Sequence, residues 1–427
     1  MVPVRVTVAT EHKKHVNVST AIALYVSSVL GGGILVLPGL TAATAGAGAL
    51  IAWVAVSVIC LPIALMFGQL SSVYPDAGGV SSFVRKAFGD TLGDLTGWLY
   101  FWVIPFGQPA VMLSGLEYAQ YEFGLPRTAT YALAWAILFS SCMLNIVGTR
   151  MSARAQSAIT VAIIVLLLAT IVVSLPEINA EAYQPLLPHG WSSVGAAAAL
   201  IMWAYVGWEN VSSIAEEFRD PGRDFVISIV VSMIIIGGLY AGSTAAVLGV
   251  VPPEQQDIQT APLALVLRLT VGSWASLFAT VMAVMIVVGS ATAIIWGTSS
   301  LGASLARSGS LPGKMAVRNS KGSFQSSVLV LLTAYTIVLF VMYMGWVRIS
   351  DAAMIVGGSA VITYGLCALA YVRLIRPARL TSWLPPIVTG LFVIALLPFF
   401  GRMLIVQLLI VLAYFALRPV FRKGLNS

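Results

Sequence analysis

The chain has 427 residues, 59% hydrophobic and 9% charged, with a mean hydropathy of +0.94 and a net charge of +7. Soluble domains carry about 25% charged residues, so this composition excludes an ordinary cytosolic globule, a disordered chain and a disulfide scaffold. At about 20 apolar residues per bilayer crossing there is room for about 12 spans, and the expected fold class is an all-α integral membrane protein with 12 transmembrane helices.

In chain order, the apolar runs place spans at 18–46, 48–73, 95–119, 129–147, 153–174, 193–217, 225–248, 274–305, 325–345, 351–373, 383–400 and 402–420. The segment Met1 to Asn17 is polar and basic without a cleavage-type signal, so insertion by the chain's own helices is expected. Of the 23 Lys and Arg residues, all but Arg127, Arg268, Arg348 and Arg402 fall on the N-terminal side of the membrane in this scheme. That bias puts both termini in the cytoplasm, argues for an even number of spans, and makes nucleic acid an unsuitable partner for the positive charge. Cys60, Cys142 and Cys367 lie inside apolar runs and read as small core residues.

Two spans carry a break signal. The first contains Gly31-Gly32-Gly33 before Ile34 and Pro38; three glycines cost a helix about 1 kcal/mol each against alanine. The sixth contains Trp203-Ala204-Tyr205-Val206-Gly207-Trp208-Glu209, a glycine beside an acid in an apolar run. Close helix packing through small residues is the other reading of both. The breaks lie five spans apart, an odd number, so the second helix enters from the opposite side, as an inverted repeat requires.

Catalysis or metal binding needs clustered His, Asp, Glu or Cys in mid-membrane, and the spans show no paired acids or histidines. No Gly-x-x-x-x-Gly-Lys motif provides for ATP, and no rings of charge mark a channel. A membrane enzyme and a channel are therefore the weaker readings beside a secondary transporter.

Further motifs carry a family resemblance. Gly31 to Ile34, Tyr74-Pro75-Asp76-Ala77-Gly78-Gly79, Asn145-x-x-Gly148-x-Arg150 and Glu216-Glu217-Phe218-x-Asp220-Pro221-x-Arg223-Asp224 occur in order. With them the sequence resembles the amino acid–polyamine–organocation (APC) transporters over essentially its whole length. Gly97-Trp98-Leu99 and Val103-Ile104-Pro105-x-Gly107-x-Pro109-Ala110 are similar to the bacterial exporters of methionine and branched-chain amino acids. The resemblance implies a LeuT-type 5+5 inverted repeat with broken helices 1 and 6. Repeat one is then about 18–174, repeat two about 193–373, and 383–420 is appended, all within a single transporter domain, 1–427.

A broken helix exposes backbone groups that lipid cannot satisfy. N–H groups at a helix N-terminus suit a carboxylate, and carbonyls freed at a helix C-terminus suit an ammonium. An α-amino acid offers both. Gly32, Gly33 and Ile34 are the candidates for the carboxylate, with Gly31 beside them in the substrate site, and the carbonyls near Val29 and from Trp203 through Tyr205 to Val206, beside Gly207, for the amine. The resemblance adds Phe106 and Gln108 on helix 3, Trp203 as an aromatic gate on helix 6 and Trp296 on helix 8, with Gly357, Gly358 and Ser359 on helix 10 either lining a cavity or packing. Gln108 either bonds substrate or satisfies a neighbouring helix.

Glu209 is expected to be either a protonatable coupling group or a structural acid for the unwound helix 1. The lysine that many proton-coupled relatives carry in helix 5 falls here on Ile163, so that device is absent. The expected function is alternating-access transport of neutral hydrophobic amino acids across the cell membrane, by efflux or exchange, without a cofactor or ATP and with a proton as possible coupling ion. Proton-coupled uptake and polyamine or cationic amino acid antiport stand as alternatives. The lipid bilayer is the one macromolecular environment implied; the oligomeric state is not legible.

Overall fold

A computed structural model describes residues 17–74, 79–148, 153–208, 223–252, 255–376 and 379–423. Among them the fold is all-helical, and nine stretches are long and apolar enough to cross a membrane. Helix α1 (Val18–Val29) starts where the Asn17 side chain accepts from the Thr20 N–H at 2.8 Å, an N-cap for one of the orphan donors. It stops at Leu30 (φ −68°, ψ 97°) and Gly31 (φ −114°, ψ 171°), both extended. A short 3-10 turn, Gly32–Leu35, leads into α2 (Leu37–Ala45), whose first turn holds Pro38. Proline is suited to that place because its missing N–H would have no partner there. The expected first span is thus two half-helices, and its break falls at the glycines.

The following helices match the expected spans within a few residues: α3 (Gly48–Val73), α5 (Asp90–Phe123), α6 (Arg127–Ile146), α7 (Ala153–Ser174), α9 (Asp224–Val250), α11 (Ser273–Arg307), α12 (Gln325–Tyr343) and α13 (Ile349–Ile375). The apolar stretch Leu380–Arg422 turns at Gly401 (φ 50°, ψ −130°) into α14 (Leu380–Leu396) and α15 (Leu404–Lys423). In the expected sixth span, α8 (Gly190–Ile201) passes into a 3-10 turn, Met202–Tyr205, and then an extended Val206.

Two helices were not expected. Helix α4 (Gly79–Phe88) buries Val80, Phe83, Val84 and Ala87 and ends on Arg85 and Lys86. That spacing makes one apolar face, so α4 packs flat on α5 and α13 instead of crossing. Helix α10 (Pro262–Thr270) packs between α7, α9 and α11.

Helix α5 is the centre of the bundle, lying against α11, α13, α6 and the first break. Small residues set these approaches. A Cβ at Gly97 would stand 3.1 Å from Leu305, and one at Gly115 2.5 Å from Val287, both on α11. The Asn145 motif is an anchor: Asn145 donates to the Thr292 carbonyl at 3.2 Å, and Asn319 donates to the Ile146 carbonyl at 2.9 Å. Cys60, Cys142 and Cys367 are buried.

At one end of the bundle, a buried acid ties four segments together. Asp94 on α5 is 2.8 Å from Arg85 of α4 and 3.7 Å from Arg418 of α15. The Ser310 hydroxyl, in the turn after α11, donates to it at 3.1 Å. Deleting one partner of a buried ion pair leaves uncompensated charge, here softened because Arg85 is partly exposed. Asp94→Asn is expected to lower stability by about 2 kcal/mol, read as a lower thermal transition of the detergent-solubilised protein. An unshifted transition shows that α4 and α15 are held by packing alone.

Candidate functional site

The first break presents an unequal set of backbone groups. Three of its carbonyls are met by side-chain hydroxyls. Tyr240 of α9 donates to Val29 O at 3.1 Å, Ser114 of α5 to Gly32 O at 3.2 Å, and Tyr118 of α5 to Leu35 O at 2.6 Å. Ile34 N–H bonds Gly31 O, and Val36 N–H bonds Gly33 O, both at 3.3 Å. Among the described residues, no oxygen accepts from the N–H groups of Gly31, Gly32 or Gly33. Gly31 is exposed, while Gly32 to Ile34 are buried. Three consecutive donors at the start of the 3-10 turn that leads into α2, with one edge open, suit an anion or a carboxylate.

The second break lies directly against the first. The Ser28 hydroxyl donates to Gly207 O at 3.1 Å, and Tyr240, already on Val29 O, also reaches Ala204 O at 3.4 Å. Gly207 has φ 132°, and a Cβ there would stand 2.6 Å from Ser28 O. Both its backbone angle and the approach of α1 require glycine. The Trp203 ring covers Gly33, at 3.2 Å from where a Cβ would be. Trp203 is thus seated on the open donors.

The other expected residues divide. On α5, Val111 touches Gly32 (2.8 Å from its would-be Cβ), and Gly107 lies against Val356 of α13. Gln108 lies between them in sequence, is buried, and neither atom of its carboxamide has a partner. Phe106 is five residues before Val111, about 140° round the helix at 3.6 residues per turn, so it faces away from the breaks. Trp296 lies nine residues beyond Val287, the α11 residue that touches Gly32; at 1.5 Å per residue that is about 14 Å further along. Neither is brought to the breaks.

Tyr205 turns outward from them. Its hydroxyl bonds Ser57 of α3, and its ring packs on Trp53 and Tyr240 at 6.3 and 5.6 Å. Val206 is half-buried and extended, with Tyr205 and itself presenting carbonyls that no described donor meets. Gly357 packs on Met202 and Ala199 O, each at 3.2 Å, and Gly358 on Gln407 at 3.0 Å, while Ser359 bonds its own helix. These three close-pack. Ile163 is buried in the core. Glu209 lies outside the described residues, as do Pro75 to Gly78, Arg150 and the 216–222 motif.

The sequence reading did not single out Ser28, Ser114, Tyr118 or Tyr240, the hydroxyls that hold the breaks. Their signal was available: a hydroxyl in an apolar span needs a partner. Nor did it weigh Glu117, which lies in α5 under the charge of Arg127, six residues or about 9 Å beyond Val111. Among the described residues there is no cluster of three or more potential metal ligands.

Gly207 gives a direct test of this geometry. Gly207→Ala forces a Cβ into the Ser28 carbonyl and a left-handed backbone on an L-residue, so a loss of about 2 kcal/mol of stability is expected. Thermal unfolding of the purified variant measures it; wild-type stability would mean the second break does not sit against α1.

Comparison with known proteins identifies the family. Residues 16–419 match the amino acid permease family. The uncharacterised amino acid permease YecA of Bacillus subtilis (strain 168) is 31% identical over 290 residues, 68% of either chain. The L-methionine/branched-chain amino acid exporter YjeH of Escherichia coli (strain K12) is 34% identical over 245 residues, 55% of this chain and 56% of the exporter. The branched-chain amino acid permease BcaP of Bacillus subtilis (strain 168) is 27% identical over 311 residues, 69% of this chain and 67% of the permease. The chain therefore belongs to the amino acid permease family of the APC superfamily, a family of multi-pass membrane transporters and not of enzymes.

Proposed function

We propose that the protein is a secondary-active carrier of neutral hydrophobic amino acids that works by alternating access in the cell membrane, in efflux or exchange. The observation that carries this reading is that, in two adjoining breaks, the N–H groups of Gly31 to Gly33 and the carbonyls of Tyr205 and Val206 have no hydrogen-bond partner among the described residues. The donors suit the carboxylate and the acceptors the ammonium of one α-amino acid. We read Gln108 as the polar group beside the substrate, since a buried carboxamide with no partner costs about 1–3 kcal/mol. Trp203 is the occluding ring.

The lining supports an apolar side chain. Segments 29–34, 103–111, 203–208, 290–296 and 357–363 hold no Lys, Arg, Asp, Glu or His. An unpaired substrate charge would cost several kcal/mol there, whereas each buried CH₂ contributes about 0.8 kcal/mol. The similarity to YjeH, an exporter of L-methionine and branched-chain amino acids, and to BcaP, a branched-chain amino acid permease, supports that preference.

Within the same proposal the fold has 12 spans in a LeuT-type 5+5 arrangement, with 18–174 and 193–373 as the repeats and 383–420 appended. Two broken segments five spans apart support it. Both termini are cytoplasmic on the Lys and Arg bias, and Glu209 is a structural acid for the first break. No ATP is needed; a proton is the proposed coupling ion.

Counterflow in proteoliposomes against an amino acid panel tests the function. Leucine, isoleucine, valine or methionine is expected to displace labelled leucine more strongly than arginine, lysine or glutamate. Stronger displacement by arginine or agmatine overturns the apolar reading, and imposed pH and sodium gradients identify the ion. Gly33→Val presses a branched side chain into Trp203 and the free N–H groups. It should reduce leucine binding more than tenfold with the thermal transition retained; unchanged affinity removes the first break from the site.

A further inference from the structure

Besides substrate, the two breaks need something to hold them together. Two hydroxyls bridge them: Ser28 of the first segment on Gly207 O, and Tyr240 of α9 shared between Val29 O and Ala204 O. Tyr240 is fully buried, and its ring is wedged between Trp53 at 5.1 Å and Tyr205 at 5.6 Å. The ring cannot swing away, so the hydroxyl is fixed where the two unwound segments meet. It has one proton for two acceptors, which makes the bridge weaker than the several bonds an amino acid would make to the same segments. Nothing in the proposed substrate site gives Tyr240 a further task.

We propose that Tyr240 is a positioning residue that splints the two breaks in the unloaded carrier, and so permits the empty protein to reorient. This rests on the carrier reading above. When an amino acid is bound, its carboxylate and ammonium join the segments themselves, and the hydroxyl is dispensable. When the site is empty, the side-chain bridges between them among the described residues are Tyr240 and Ser28. Loss of the hydroxyl therefore acts on net flux, which requires the empty return step, and spares exchange, in which the carrier is loaded in both directions.

The test compares zero-trans net uptake with homoexchange of labelled leucine in proteoliposomes holding wild type or Tyr240→Phe. The phenyl ring keeps the packing on Trp53 and Tyr205 and removes only the bridge. Net uptake is expected to fall about tenfold while exchange stays within twofold, with KM for exchange within threefold. A general structural role would lower both rates together, so an unchanged ratio of net uptake to exchange overturns the proposal, as does a larger loss of exchange. Should Tyr240→Phe lose its folded thermal transition, Ser28→Ala removes the other bridge from a half-buried position, and the same split is expected at smaller size. A wild type with no saturable amino acid exchange refutes the carrier reading itself. A wild type that exchanges, with variants of unchanged ratio, refutes only the splint.

Discussion

A backbone that leaves helical geometry inside an apolar bundle must have its polar groups met, and everything about this site follows from how that is done. Each unmet group costs several kcal/mol away from water. At the first break the carbonyls of Val29, Gly32 and Leu35 are covered by hydroxyls from α5 and α9, and those of Gly31 and Gly33 by the 3-10 turn itself. The N–H groups of Gly31 to Gly33 are left over. Had the segment been unwound only to let helices cross, both sets would gain equally from internal partners. That excess of donors suits the hydrogen-bond-accepting ligand proposed above. At the second break, the carbonyls of Tyr205 and Val206 have no donor among the described residues.

The scaffold is arranged to hold this pair of breaks in place. Helix α5 contributes Ser114 and Tyr118 to the first, and its contact residues Gly97 and Gly115 admit α11 at a distance where any larger side chain would collide. Pro105 and Pro109 lie in the same stretch of α5 without interrupting the helix. Each removes a backbone donor, so two carbonyls one turn back lose their usual partner close to Gln108. Two of the least satisfied stretches of the chain, mid-α5 and the breaks, are therefore neighbours. At the far end, Asp94 gathers Arg85, Arg418 and Ser310, and joins α4, α15 and the turn after α11 to the same central helix.

The breaks were legible because glycine is an unambiguous sign of helix cost, and three in a row leave few alternatives. The position of Gly207 was legible in the same way, and its φ of 132° shows why no other residue serves. What the sequence could not give was direction around a helix. Phe106 and Trp296 have the right chemistry in the right spans, but helical phase turns Phe106 away and length carries Trp296 past the site. Tyr205 lies at the break yet points into α3. Tyr240 was missed for the opposite reason: in a run of Ile, Gly and Leu it reads as one more large side chain, and only the fold brings its hydroxyl to two carbonyls from segments 175 residues apart. Helix α4 was within reach, since Val80, Phe83, Val84 and Ala87 follow the helical period, but ten residues of it are too short to register as a span.

The division of labour at the breaks also bears on selectivity. Backbone groups grip what all α-amino acids share and cannot distinguish one from another. Discrimination then falls to the lining around Val111, Val356 and Trp203, which is apolar and, in the segments nearest the breaks, free of charge. Such a surface separates substrates by area and fit, and one methylene more or less is worth only about 1–3 kcal/mol. A carrier built this way is selective between classes of side chain and permissive within one. On the proposed reading, a cation or a carboxylate is disfavoured by desolvation that nothing in the lining repays, and several aliphatic side chains of similar size are accepted. Gln108 is the one polar group in the lining segment of α5 able to sharpen that choice. Because its carboxamide lacks partners in the protein, a side chain offering it a hydrogen bond would gain where a purely aliphatic one would not, and methionine sulfur, a weak acceptor, is the mildest member of that set.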